Sequence, residues 1–307
     1  MTGIRRIVAA GLLATAVLVG AGCGGQSKSS AAASTGVLHA VAAENFWGSI
    51  ASQLGGSRVQ VKSVITNPAT DPHDYEPTAA DARTIAGARM VIVNGIGYDP
   101  WADKLIAANP VSGRIVLNVG DLLEIEPGGN PHRWYSPPDV QLMIDAIVRD
   151  YAKLEPKGSG YFAQQKTRFE SKGLAQYEQL IATIKRKYGG VSVGASESIF
   201  APLAQALGLK LVTPPTFLKA ISEGTEPTAA DKTTIDRQIA QKQIKVWVFN
   251  SQNSTPDVKR ITDAARKRGI PVTTITETLV PASAGFQEWQ SRQLRAFAAA
   301  LAQATGR

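Results

Sequence analysis

The chain has 307 residues, 44% of them apolar and 19% charged, and at roughly 150 residues per domain it has room for two domains with sizeable cores. Its formal net charge of +8 is mild for this length, and its basic residues are scattered, with no aromatic-interleaved basic stripe; a nucleic-acid surface is excluded. The single cysteine, Cys23, excludes a disulfide within the chain.

Residues 1–22 carry Arg5-Arg6 ahead of an apolar stretch from Ile7 to Val19, then small residues, which is the pattern of an export signal. The stretch is shorter than the roughly 20 residues of a spanning helix. Gly20-Ala21-Gly22-Cys23 resembles the bacterial lipoprotein box, although glycine stands where that box usually has an aliphatic residue. The resemblance implies a lipidated Cys23 that anchors the chain to the outer face of the cytoplasmic membrane; an ordinary cleaved signal is the alternative. Residues 23–36, rich in Gly, Ser and Ala, form a flexible tether.

Short β-branched runs then alternate with helix-period segments, the pattern of α/β units around parallel sheets. The expected strands are Val37–Ala42, Val59–Ile65, Met90–Asn94 and Arg114–Val119, then Val191–Ala195, Lys210–Val212, Val246–Phe249 and Val272–Thr276. Four and four predict two lobes, residues 37–158 and 189–307, each a roughly four-stranded parallel sheet flanked by helices. Between them, Phe162, Phe169, Leu174, Tyr177, Ile181 and Ile184 recur as one helix face would, so residues 159–188 are expected to form one long linking helix. Gly173 is the place where such a rod would bend, Lys185-Arg186-Lys187 suits its C-terminus, and Gly189-Gly190 ends it.

The string Glu-Pro-Thr-Ala-Ala-Asp occurs at 76–81 and again at 226–231. Each copy has the composition of a helix start. Convergent capping explains the pair, and an old duplication of lobes is the other account.

Two of the three histidines follow prolines in similar segments, Asp71-Pro72-His73-Asp74-Tyr75-Glu76-Pro77 and Asn130-Pro131-His132-Arg133-Trp134. Imidazole is the commonest neutral transition-metal ligand near physiological pH. Ligands of open α/β sheets bind beyond the carboxyl ends of strands, and both histidines lie there, after the second and fourth predicted strands. Glu197 and Glu277 stand just beyond strand ends in the second lobe. Two imidazoles and two carboxylates therefore converge on the cleft between lobes.

These segments resemble the metal-binding receptors of ATP-binding-cassette importers, the cluster that includes zinc and manganese receptors and the so-called lipoprotein adhesins. The similarity runs from Ala42-Ala43-Glu44-Asn45-Phe46 to the C-terminal helix. It implies that His73, His132, Glu197 and Glu277 hold one divalent transition metal as cargo. Ser196-Glu197-Ser198 has the manganese-type form, where zinc-type members usually carry histidine, and Glu277 falls where aspartate is usual. Glu223, which lies 150 residues after His73 in the apparent repeat, is the alternative fourth ligand. Manganese is favoured over zinc, since Asp121 to Glu126 is acidic where zinc-specific members have a His-rich loop. The implied architecture is two lobes joined by a long rigid helix. The implied partners are a permease and its separate cytoplasmic ATPase, with a lipid anchor as the membrane contact and a monomeric receptor.

Two other classes compete. A secreted metallohydrolase also uses two histidines and a carboxylate, but the sequence has no H-E-x-x-H motif. A surface adhesion protein would need a large apolar patch away from the cleft. His39, within the first strand, is expected to be packed or hydrogen-bonded, and Tyr75, Trp101 and Trp134 to wall the cleft. Gly95-Ile96-Gly97 does not continue into a dinucleotide-binding fingerprint.

Overall fold

Eight short strands build two parallel sheets with the same internal order. In the first, β1 (Leu38–Glu44), β2 (Val59–Ile65), β3 (Met90–Val93) and β4 (Ile115–Asn118) lie in the order β2-β1-β3-β4. In the second, β5 (Ser192–Ala195), β6 (Lys210–Leu211), β7 (Trp247–Asn250) and β8 (Val272–Ile275) lie in the order β6-β5-β7-β8. Every pairing is parallel, so each crossover needs a helix. These coordinates are a computed structural model that describes residues 36–70, 72 and 75–307. The expected export signal, Cys23 and His73 lie outside the described residues.

Helices α1 (Asn45–Gly55), α2 (Ala79–Ala86), α3 (Pro100–Ala108), α4 (Val119–Leu123) and α5 (Pro137–Leu154) accompany the first sheet. The connecting run is α6 (Ser159–Arg168), a π-helical turn at Phe169–Gly173, and α7 (Ala175–Tyr188). The sequence predicts one long helix here with Gly173 as the place of a bend, and the structure puts a π-helical turn there. Leu174 N–H reaches the Phe169 carbonyl at 2.8 Å, the i→i+5 bond of a π turn. The Phe169 ring is buried over Gly173, where a Cβ would lie 2.9 Å from it. The second sheet carries α8 (Ala201–Ala206), α9 (Pro215–Ser222), α10 (Ala229–Ala240), α11 (Pro256–Lys267) and α12 (Phe286–Thr305).

Both copies of the repeated string start helices. Thr78 and Asp81 form a reciprocal capping box on α2, and Thr228 accepts from Asp231 N–H at 3.1 Å on α10. Helix α2 leads from β2 into β3, and α10 leads from β6 into β7, so the copies occupy equivalent places in the two sheets.

From Val37 to Arg307 the chain is one compact unit. A single buried cluster runs through both sheets, joining Phe46, Trp134 and Tyr135 to Val193, Phe200 and Trp289. Phe46 stacks on Trp134 with centroids 3.9 Å apart. Beside this core, α1 is sewn to the segment that leads into α12. Asn45 Oδ1 accepts Leu279 N–H at 3.2 Å, and Ser49 Oγ accepts Phe286 N–H at 2.9 Å. Gln53 and Gln287 exchange amide hydrogen bonds of 3.1 and 2.8 Å. His39 departs from expectation: it is exposed near the start of β1, before the strand enters the core.

Candidate metal centre

The carboxyl ends of the two sheets meet around a buried polar cluster. His132 ends the loop that follows α4 and is fully buried. Its Nδ1 lies 2.7 Å from Asn130 Oδ1. Asn130 donates its Nδ2 to the Ser198 carbonyl at 2.8 Å, so its oxygen must face the ring. Nδ1 therefore carries the proton, Nε2 carries the lone pair, and Nε2 faces Glu277 Oε1 at 3.5 Å. Burial holds the imidazole neutral by lowering its pKa to about 4, against an opposing pull from Glu197.

Glu197 follows β5 in extended conformation and is 1% exposed. One of its oxygens accepts from Asn250 Nδ2, and the other accepts from Asn253 Nδ2 at 2.7 Å. Burial, and then the nearby Glu277 carboxylate, raise its pKa to about 8. Glu277 follows β8 and is 5% exposed. Its Oε1 accepts from the same Asn250 Nδ2 at 2.9 Å, and its Oε2 accepts from Tyr98 Oη at 2.9 Å. Two carboxylates thus share one amide nitrogen in a water-poor setting, beside a neutral imidazole. Burying two negative charges without a positive one is costly, and a divalent cation is the chemistry that this donor set accommodates.

Tyr98 reaches Glu277 because of a tight turn. Gly95, Ile96 and Gly97 have φ values of 66°, 58° and 80°. A Cβ at Gly95 would meet Asn118 Oδ1 at 2.1 Å, so glycine is required there. Asp99 closes the turn by accepting Asn94 N–H and Gly95 N–H, each at 2.7 Å. Asp99 is buried, as is Glu44, whose carboxyl oxygens have no hydrogen-bond partner among the described residues. Burial, and then the charge of Asp99, raise the Glu44 pKa well above the usual carboxylate range.

The described structure brings together three of the four expected ligands, His132, Glu197 and Glu277. Among the described residues alone, no three His, Cys, Asp or Glu side chains form a set ready to hold a metal ion. His73 lies outside those residues. Glu223 is half-exposed at the end of α9 and pairs with Lys219 at 3.5 Å. Trp134 packs against His132, with ring centroids 5.2 Å apart, while Tyr75 packs on Trp101 in a separate cluster. Asn130, Tyr98, Asn250 and Asn253 escaped the sequence reading. The signal that could have found Asn250 is its place at the carboxyl end of the strand between the two that carry the glutamates.

Paired sheets of identical order, with a buried imidazole and two carboxylates where their carboxyl ends face each other, define a two-sheet α/β protein with a polar centre between the sheets. The chain belongs to the family described as ZnuA, zinc-uptake complex component A, periplasmic, whose family model matches residues 40–300. It is 25% identical over 279 residues to the manganese-binding lipoprotein MntA of Bacillus subtilis (strain 168), covering 87% of each chain. It is 26% identical over 147 residues to MntA of Halalkalibacterium halodurans, and that match spans 48% of the relative's length. The periplasmic zinc-binding protein TroA of Treponema pallidum has the same fold, with a TM-score of 0.70 at 19% identity over 87% of this chain and 99% of that one.

Proposed function

We propose that this chain is an extracytoplasmic receptor that captures one divalent transition metal ion between its lobes and delivers it to an ATP-binding-cassette permease. The observation that carries the reading is the buried pair Glu197 and Glu277, held against the neutral, lone-pair nitrogen of His132. His73 supplies the fourth ligand in this reading. No chemistry is performed on the cargo. The names of relatives as manganese-binding lipoproteins and as a component of zinc uptake support the same role. They also support Cys23 as the site of a lipid anchor. In this reading residues 37–158 and 189–307 act as the two lobes, and residues 159–188 join them.

Manganese is the proposed cellular cargo. Two carboxylate ligands suit it, although zinc binds more tightly at almost any such site. The test is metal content by mass spectrometry after demetallation and competitive reloading with manganese and zinc. One tightly held ion per chain, lost in His73→Ala and in Glu277→Ala, is the expected result. Retention in Glu277→Ala would move the fourth ligand elsewhere, and absence of stoichiometric metal from the unmodified protein would end the receptor reading.

A further inference from the structure

We propose that the loop closing β7, Asn250 to Asn253, is the positioning element of the metal site, with Asn250 setting the separation and orientation of Glu197 and Glu277. The inference rests on the receptor reading and assigns a role to residues that do not themselves bind the ion.

Strand β7 lies between β5 and β8 and pairs with both. Glu197 and Glu277 each stand two residues beyond the end of a flanking strand. Those strands are two spacings apart, roughly 9.5 Å, which is too far for two carboxylates to meet one ion unless both lean inward. The last residue of the middle strand is the one placed to draw them together.

The orientation of Asn250 is fixed. Its Oδ1 accepts Gln252 N–H at 2.9 Å, and its backbone N–H donates to Ser196 Oγ at 3.1 Å. The amide nitrogen must then face the carboxylates, and it donates to both. Asn250 is fully buried, so water cannot replace those donors. A neutral amide orders two carboxylates without cancelling their charge, which remains for the cargo. A lysine or arginine would satisfy the same oxygens and compete with the ion.

The rest of the loop extends the brace. Asn253 holds the second oxygen of Glu197 and also reaches the Ile221 carbonyl at 3.2 Å. Gln252 accepts Thr278 N–H at 3.0 Å and donates to Thr278 Oγ1 at 3.0 Å, fixing the residue after Glu277. The same Gln252 amide donates to the Pro68 carbonyl at 2.5 Å, which ties this loop to the other lobe.

The experiment uses the whole mature chain, demetallated and loaded with cobalt(II), whose visible absorption reports coordination geometry. Manganese(II) affinity is measured in parallel by chelator competition. Asn250→Ala is expected to keep one ion per chain, to change the cobalt spectrum, and to weaken manganese binding by about 10- to 100-fold. A spectrum and an affinity within twofold of the unmodified protein would overturn the inference while leaving the receptor reading intact. No stoichiometric metal in the unmodified protein would instead overturn the receptor reading, and this inference with it. If Asn250→Ala does not fold, Asn253→Ala and Gln252→Ala remove the other legs of the brace. Unchanged spectra and affinities in both would overturn the proposal.

Discussion

The third strand of each sheet runs into an asparagine, Asn94 after β3 and Asn250 at the end of β7, and the two side chains serve different ends. Asn94 holds backbone and core: its Nδ2 donates to the Pro131 carbonyl at 3.0 Å, just before His132, and its Oδ1 accepts from Trp47 Nε1 at 3.0 Å. Asn250 holds side chains, and both of its carboxylate partners are candidate ligands. The first lobe therefore presents its imidazole on a rigid backbone, with Asn130 fixing the ring. The second lobe presents flexible carboxylates that need a brace of amides. An imidazole needs one acceptor to set its tautomer, whereas a carboxylate has two oxygens and a free torsion to control.

The largest effect expected from breaking this division is in the second lobe. Replacing both Glu197 and Glu277 by alanine should abolish stoichiometric metal, read by mass spectrometry after reloading. The next effect belongs to the first lobe. Asn94→Ala strands the Trp47 indole N–H and the Pro131 carbonyl and should cost about 1–3 kcal/mol of stability, measured by urea unfolding of the metal-free protein. Its cobalt spectrum should match that of the unmodified protein; a shift as large as that of Asn250→Ala would erase the contrast between the lobes. Tyr98→Phe removes the hydrogen bond from Tyr98 Oη to Glu277 Oε2 and should weaken manganese binding by about tenfold, with the fold intact.

The smallest effect concerns pH. Glu44 and Asp99 both have carboxyl pKa values raised by burial, Asp99 to about 6. A raised carboxyl binds more protons folded than unfolded. Its contribution is thus fully present below about pH 4 and is lost as pH rises through the raised pKa, about 6 for Asp99. Glu44→Gln should flatten the urea midpoint between pH 4 and 8 and raise it at the upper end. A variant curve parallel to that of the unmodified protein would show that the pair carries no such linkage.

All eight strands were legible because short β-branched runs flanked by turns leave few other readings, and β3 is buried at every position. The positions of Glu197 and Glu277 were legible for a related reason, since carboxyl ends of parallel strands face a crevice. Asn94 and Asn250 obey the same rule and were passed over. Asparagine after a strand is also the ordinary residue of a turn, and nothing local separates the two uses. Tyr98 was hidden for a geometric reason: three successive left-handed residues must redirect the chain before its hydroxyl points across the cleft. Gly173 marked where the linking helix would bend, but the π form of that bend was opaque, because it depends on a ring that must pack over Gly173.

The seam between α1 and the segment from Leu279 to Gln287 is made of amides, a hydroxyl and backbone groups, and none of its hydrogen bonds involves a formal charge. Ionic strength has little hold on such contacts, since screening acts on charges and not on neutral donors and acceptors. In the role proposed above, outside the cytoplasm, the chain would meet surroundings whose salinity it does not control. The mutual placement of its lobes along this seam should be the same in dilute medium and in brine.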